Sequence, residues 1–356
     1  MQAVFTHTKI RGIVTLVPKQ YIHIDDELDR IYNGDTKALE RIKKVVGLKK
    51  RHIAPKNITA SDIALQAANI LLDSMNIERS SIDALIFVTQ TPDYFLPASA
   101  CYLHGKLGLG THAFAFDINQ ACAGYLYGLH IAHSLISSSG AKRVLLLCGD
   151  TLSHFINPLD SSLAPIIGDG VSATLLEYTT ESLKAFFELG SDGKRFDKLI
   201  IPQGACRIPS TTIITDPKVW ETSESRGLYN LYMDGTEIFN FAVIEEPKAF
   251  ERIIEYAGIS KEKIDYYFFH QANTYIVNNI AKRLKLDPTK VPNETTEKYG
   301  NLSGCSIPAT ICDTFGDIPL KRDITISLAG FGAGLSFGNA IVGLTQDFFT
   351  KKVLFY

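Results

Sequence analysis

The stretch Asp117–Ile136, DINQACAGYLYGLHIAHSLI, decides how the rest of the chain is read. The run AFAFDI (Ala113 to Ile118) alternates and is rich in aromatics, as a strand is, and the segment from Ala123 onward is apolar nearly all round, as a buried helix is. Cys122 therefore falls where a short strand turns into a helix. A thiol on the first turn of a helix meets unpaired backbone N–H groups and the positive end of the helix dipole, and both favour thiolate. The small residues Ala121, Ala123 and Gly124 leave room for a substrate to approach. Two readings stand on this context alone: an activated nucleophile, or a buried cysteine packing as a small hydrophobe.

With 356 residues and 46% hydrophobic content, the chain is long enough for two domains of common size or one large double-cored unit. A net charge of -2 gives no reason to expect nucleic acid or an anionic membrane as the main partner. The six cysteines (Cys101, Cys122, Cys148, Cys206, Cys305, Cys312) form no CxxC pair and no metal-ligand spacing, and several sit inside apolar elements. That usage points to a reducing compartment. The start, MQAVFTHTKIRGIV, has neither a basic region followed by an apolar run nor a cleavage site, and no stretch approaches membrane-spanning length. The expectation is a soluble cytoplasmic protein.

Outward from Cys122 the pattern is regular. A strand is predicted near Ile10 to Val17, a charged amphipathic region over Asp25 to Val46, and a helix over Ser61 to Met75, with Ile63, Ala67, Leu71 and Met75 at spacing four and Ser61 as cap. ALIFVT (Ala84 to Thr89) and RVLLLCGD (Arg143 to Asp150) read as buried strands, and Ala98 to Leu107 as a helix after Pro97. Strand and helix in succession argue for a mixed or parallel sheet with helices on its faces. Beyond the strand VSATLLEY, the tract from Gly190 to Asp234 loses periodicity and is read as loops.

The later part repeats the earlier one. ERSSIDALIFVTQTPDY and ISKEKIDYYFFHQANTY both run through Ile-Asp into a buried strand, with Asp83 and Asp265 182 positions apart. LLLCGD and ISLAGF match at an offset of 181, and NQACAG from Asn119 falls on NLSGCS from Asn301, which sets Cys122 opposite Gly304. Three matches at nearly one offset imply two copies of one α/β unit: residues 1–180 carrying the cysteine and residues 181–356 carrying its partners.

The repeat says where those partners lie. His270 ends the strand IDYYFF, at the carboxyl end where such sheets place their chemistry. Asn301 sits in YGNLSG, ahead of a helix whose expected cap is Ser303. Taken singly, His270 reads as a hydrogen-bonded core residue and Asn301 as a turn former; their place at the second copy's strand ends raises both. FGAGLSFG (Phe331 to Gly338) brings backbone close to a ligand and can present an amide to an oxyanion, though alone it reads as a turn between strands. No helix follows it, so no dinucleotide motif is supported. His130 and His133 form an HxxH pair with no third ligand in view and are read as packing or solvent-facing residues. The reading carries no cofactor and no metal.

At these residues the sequence resembles the β-ketoacyl-acyl carrier protein synthase III enzymes of the thiolase superfamily. ACAG at Cys122, FHQAN at His270, YGN at Asn301 and the closing FGAG loop recur in that family's order and spacing, over nearly the whole chain. The resemblance implies the thiolase-like duplicated five-layer α/β/α/β/α fold and a homodimer. It implies Cys122 as the acylated nucleophile, His270 and Asn301 as the groups that bind a malonyl thioester while it loses CO2, and the backbone amides of Cys122 and Ala333 as the oxyanion hole. The expected substrates are an acyl-CoA or acyl carrier protein thioester and malonyl-acyl carrier protein, with Lys282 and Arg283 left to meet the acidic carrier. Leu96 falls where the family closes the partner's acyl pocket, often with Phe, and it reads equally well as interface packing.

Departures from the pattern matter too. The residues that hold the adenine of coenzyme A fall on Arg41 and Ser161, a further basic residue falls on Val45, and the arginine that follows HQAN is replaced by Tyr275. The coenzyme A site is therefore expected to be altered, and the priming donor to be another acyl-CoA or an acyl carrier protein. Two other classes stay open: an acyltransferase forming esters or amides, against which His270 and Asn301 argue, and a non-catalytic carrier-binding partner, against which Cys122 argues.

Overall fold

In the computed structural model, which describes residues 1–212 and 227–356, the strand Arg143–Asp150 sends alternate side chains into two different cores. Val144, Leu146 and Cys148 enter one, and Leu145 and Leu147 the other. Pleating sends successive side chains to opposite faces, so a strand covered on both sides is apolar without interruption. The parallel neighbour Ala84–Val88 divides in the same way, with Ala84, Ile86 and Val88 against Leu85 and Phe87. In the second half, Phe268 joins the first of these cores while Tyr267 and Phe269 face a third. Two sheets thus share one core between them.

The first sheet runs in the order Phe349–Thr350, Thr8–Val17, Gly170–Tyr178, Arg143–Asp150, Ala84–Val88, Phe114–Ile118, and Leu354–Phe355 also pairs with Thr8–Val17. The second runs Gln2–Phe5, Ala185–Ser191, Ser336–Leu344, Ile324–Gly332, Tyr266–Phe269. Ala84–Val88 is parallel to Arg143–Asp150, which is antiparallel to Gly170–Tyr178; Tyr266–Phe269, Ile324–Gly332 and Ser336–Leu344 repeat those senses. The main strands of the two units part between Tyr178 and Ala185. The outermost strands are exchanged. Gln2–Phe5 edges the second sheet, and the last strands of the chain edge the first.

The helices Gly124–Ser138 and Ser306–Phe315 fill the shared core with Tyr125, Leu126 and Leu129 and with Ile307, Ala309 and Ile311. Ala60–Ser74 and Ser99–Leu107 cover the outer face of the first sheet, and Gly235–Ala257 and Thr274–Arg283 that of the second. This is the duplicated α/β/α/β/α arrangement, and it sets the turns before the two central helices side by side.

Three local expectations are corrected. Ser61 is not the cap of Ala60–Ser74: Thr59 Oγ1 accepts the Asp62 N–H at 3.4 Å and the Asp62 carboxylate accepts the Thr59 N–H at 2.9 Å, a reciprocal box that leaves Ser61 free to donate to Asp93. Ser303 does not cap a helix either, because Ser303–Cys305 is a 3-10 turn and the helix starts at Ser306. The tract from Gly190 to Asp234 contains the end of the strand Ala185–Ser191 and the antiparallel pair Leu199–Ile200 and Tyr232–Met233, while residues 213–226 lie outside the described residues. No helix among the described residues is long and apolar enough to cross a membrane.

Candidate active site

The strand Phe114–Ile118 ends at Asn119, and a 3-10 turn, Ala121–Ala123, carries Cys122 into the helix Gly124–Ser138. In the second unit the 3-10 turn Ser303–Cys305 leads into Ser306–Phe315. Both turns begin on a non-glycine residue in the left-handed region, Ala121 at φ 46° and Ser303 at φ 52°. Such a conformation is costly and persists where its surroundings fix it. The two turns pack on each other. A Cβ on Gly304 would lie 2.9 Å from the Ala121 carbonyl and 3.0 Å from the Cys148 sulfur, so the position opposite Cys122 in the repeat admits no side chain.

Glycines of the closing loop serve the thiol directly. A Cβ on Gly332 would come within 2.7 Å of Cys122 Cβ, and one on Gly330 within 3.2 Å of the Cys122 carbonyl. The strand Ile324–Gly332 therefore lays bare backbone along Cys122, and Ala333 follows in the turn to Ser336–Leu344, its carbonyl accepting from Ser336 Oγ at 2.8 Å.

Cys122 as a residue is half-buried. It does not rest as the thiolate that a helix start suggests. Burial pushes the Cys122 thiol up to about 12, and the Asp150 carboxylate adds to the rise, while a contact of 3.8 Å from Cys122 Sγ to Ser303 Oγ opposes it. Loss of hydration outweighs the helix dipole here.

His270 follows the strand Tyr266–Phe269 and donates its N–H to the Ala329 carbonyl at 2.7 Å. The ring lies edge-on to Phe331, with centroids 5.4 Å apart, and Nδ1 is 2.7 Å from Ser306 Oγ, which also accepts the Gln271 N–H. At 2% exposure, burial draws the imidazole down to about 4, so it is neutral at physiological pH, although the Ser303 carbonyl facing it favours the proton. Asn301 is held from both sides of its backbone, its N–H donating to Ile166 and its carbonyl accepting from Gly168. Its Oδ1 accepts the Ser303 N–H at 2.9 Å, which turns Nδ2 the other way.

Ser303 thus touches all three groups: its hydroxyl the sulfur, its N–H the carboxamide, its carbonyl the imidazole. Sequence reasoning reduced it to a helix cap and passed over Gln90 and Asp150, which stand behind it. Gln90 Nε2 lies 2.8 Å from both Ser303 Oγ and Asp150 Oδ2. No motif announces such a contact, since 213 residues separate Gln90 from Ser303.

The remaining candidates lie apart from the sulfur or on the surface. Leu96 is 84% exposed beside Tyr94 and Phe95. Lys282 is exposed and lines a surface cavity of about 480 Å³, whereas Arg283 Nη1 donates to the Val243 carbonyl at 3.1 Å. Arg41 and Val45 lie exposed on the helix Thr36–Val46, Ser161 is exposed, and Tyr275 stacks on Phe239 at 5.6 Å. His130 and His133 pack against Phe5 and Phe187.

Comparison with known proteins follows the same lines. Sequence models described as 3-Oxoacyl-[acyl-carrier-protein (ACP)] synthase III and as its C-terminal part match residues 116–193 and 254–344. A Campylobacter jejuni protein that carries the provisional name 3-oxoacyl-[acyl-carrier-protein] synthase 3 is 52% identical over 356 residues, covering 100% of this chain and 99% of its own. The β-ketoacyl-[acyl-carrier-protein] synthase III of Clostridioides difficile is 34% identical over 343 residues, 96% of this chain and 99% of its own. The crystal structure of a 3-oxoacyl-(acyl-carrier protein) synthase from Burkholderia xenovorans superposes with a TM-score of 0.92 at 34% identity, covering 99% of this chain and 98% of that one.

Proposed function

The chain belongs to the 3-oxoacyl-[acyl-carrier-protein] synthase III family, and from that premise we propose that it condenses an acyl thioester with malonyl-acyl carrier protein through an acyl group carried on Cys122. The observation that supports this assignment of residues is the convergence of Cys122, His270 and Asn301 on the single turn at Ser303.

In the first half-reaction the Cys122 sulfur, having lost its proton, attacks the carbonyl carbon of the donor thioester. The amides of Cys122 and Ala333 receive the developing oxyanion. The bond from carbon to the carrier's sulfur then breaks, and the departing thiol takes up a proton. In the second, the malonyl carboxylate leaves as CO2 and its bonding pair stays on carbon as an enolate. Neutral His270 and the Nδ2 of Asn301 each donate a hydrogen bond to the enolate oxygen. A charged imidazolium is not needed, and the apolar setting of His270 keeps it from forming. Carbon attacks the acyl carbonyl, the tetrahedral adduct collapses, and the Cys122 thiolate leaves to give the 3-oxoacyl product.

The domain reading extends this: residues 1–180 supply the acylated sulfur and residues 181–356 the groups that handle the malonyl unit. Exposed Lys282 is the basic contact for an acidic carrier, with Arg283 at its flank. The exposed segment at Leu96 packs against a second copy and borders that copy's acyl pocket, giving a homodimer in a reducing, cytoplasmic setting that suits six unpaired cysteines.

Intact mass spectrometry tests the reading. The protein is exposed to a panel of acyl-CoA and acyl carrier thioesters, and malonyl-acyl carrier protein is then added. One acyl adduct is expected on the wild type and none on Cys122→Ser, and the malonyl carrier should discharge it with release of CO2. An adduct that persists in Cys122→Ser would place the chemistry elsewhere.

A further inference from the structure

Asp150 is 3% exposed and its carboxylate only accepts hydrogen bonds: Oδ1 from the Gln90 N–H at 2.6 Å and from Thr89 Oγ1 at 3.1 Å, Oδ2 from the Gln90 side chain at 2.8 Å. The end of the Gln90 amide that faces it is therefore the NH2 group. The second hydrogen of that NH2 group points to Ser303 Oγ at 2.8 Å. Ser303 Oγ accepts it and keeps its own hydrogen to give, and the Cys122 sulfur lies 3.8 Å away. The interposed amide fixes the direction of the chain. A hydroxyl bonded straight to a carboxylate would donate to it and turn a lone pair toward the sulfur; with the NH2 group between them, the hydroxyl turns its proton there instead.

We propose that Ser303 is a further catalytic residue of the acyl transfer, donating a hydrogen bond to the Cys122 thiolate, and that Gln90, held by Asp150, is the positioning residue that aims it. The inference rests on Cys122 being the acyl acceptor. A thiol as strongly desolvated as this one benefits from any donor, because a hydrogen bond to the charged form favours that form. Among the described residues, the strand Arg143–Asp150 brings two titratable groups near the sulfur: Asp150, whose charge opposes its ionisation, and Cys148, a buried thiol itself pushed well above the usual range. Tyr125 on the following helix shares its hydroxyl with Thr174 at 3.1 Å, the strand Ile324–Gly332 carries no titratable side chain, and His270 meets the other side of the Ser303 turn. A donor at Ser303 answers the Asp150 charge without adding a cation.

The test is the rate of Cys122 alkylation by iodoacetamide, read by peptide mass over a range of about pH 7 to 9, where only the thiolate reacts. In Ser303→Ala the rate is expected to fall about tenfold at every pH, so that the wild-type rate is reached about one pH unit higher. Ser303→Gly should fall equally: it lacks the same hydroxyl but relieves the left-handed backbone. Gln90→Met is expected to shift in the same direction by less, in a protein that still folds but melts somewhat lower because Asp150 Oδ2 loses its donor. Wild-type rates in Ser303→Ala overturn the proposal, and so does a loss confined to one of the two Ser303 variants, since that would trace to backbone geometry. If both Ser303 variants fail to fold, a wild-type rate in Gln90→Met overturns it; a wild-type rate there beside a slow, folded Ser303 variant removes Gln90 from it. The parent reading fails separately, if the wild type takes no acyl group from any thioester while the alkylation rates still differ.

Discussion

His133 lies inside the central layer with its ring 5.2 Å from Phe187 and 5.7 Å from Phe5, and neither ring nitrogen has a hydrogen-bond partner among the described residues. Burial draws it down to about 3, and the neighbouring His130 pushes the same way. His270 is held low by the same cause, at about 4. Both groups are neutral in the folded state at pH 7. As pH falls below the unfolded value of 6.5, the unfolded chain takes up protons that the folded one refuses, so stability declines through the acidic range toward the folded values. Replacing His133 by Phe removes one of these groups and two unsatisfied nitrogens, each of which costs about 1–3 kcal/mol when buried without a partner. The expected result is a higher melting temperature at pH 7 and a shallower fall of melting temperature down to about pH 5, both read by calorimetry. At this scale residue type and position singled out two candidates in the sequence, Cys122 before a helix and His270 after a strand, and the structure sets them at those element ends. The sequence pointed the wrong way on the thiol's protonation, toward thiolate, because desolvation is set by everything packed around the sulfur.

The helix Gly235–Ala257 contains Pro247, which has no N–H to give to the Val243 carbonyl one turn back. Arg283, near the end of Thr274–Arg283, supplies the missing donor at 3.1 Å. Two neighbouring basic residues on one helix therefore differ in kind. Arg283→Ala is expected to lower stability by up to about 1 kcal/mol, since the freed carbonyl sits near water, and Arg283→Lys to restore part of it. Lys282→Ala, lacking any such tie, is expected to leave the melting temperature in place and raise KM for malonyl-acyl carrier protein, most at low salt. Denaturation curves and initial rates separate the two. Strands and central helices were readable because periodicity is a local property: RVLLLCGD is observed as Arg143–Asp150 without a shift. Caps were less so. Ser61 and Ser303 are of the right residue type, but Thr59 holds its box three residues from Asp62, and Ser303 is drawn into contacts with Gln90 and Cys122 from another unit.

The molecule as a whole is tied together by its edges and its middle. Gln2–Phe5 completes the second sheet and the last strands complete the first, so neither half contains its own full sheet, and the central helices belong to both. On the outside, Phe95 and Leu96 are 85% and 84% exposed next to Tyr94, an apolar tip of the kind that marks an interface. Phe95→Asp is expected to convert a dimer into a monomer in sedimentation velocity while leaving the circular dichroism spectrum unchanged; a wild type that sediments as a monomer would end the dimer reading. The sequence by itself determined the doubled α/β plan and the strands, and singled out one cysteine, one histidine and one asparagine as candidates, because periodicity and repeat spacing are written in residues close along the chain. Only the tertiary structure decided that burial holds the thiol up, that glycine alone fits opposite Cys122 in the repeat, and that the Ser303 hydroxyl stands 3.8 Å from the sulfur. Those outcomes depend on exclusion of water and on hydrogen-bond direction among atoms whose residues stand 181 and 213 positions apart.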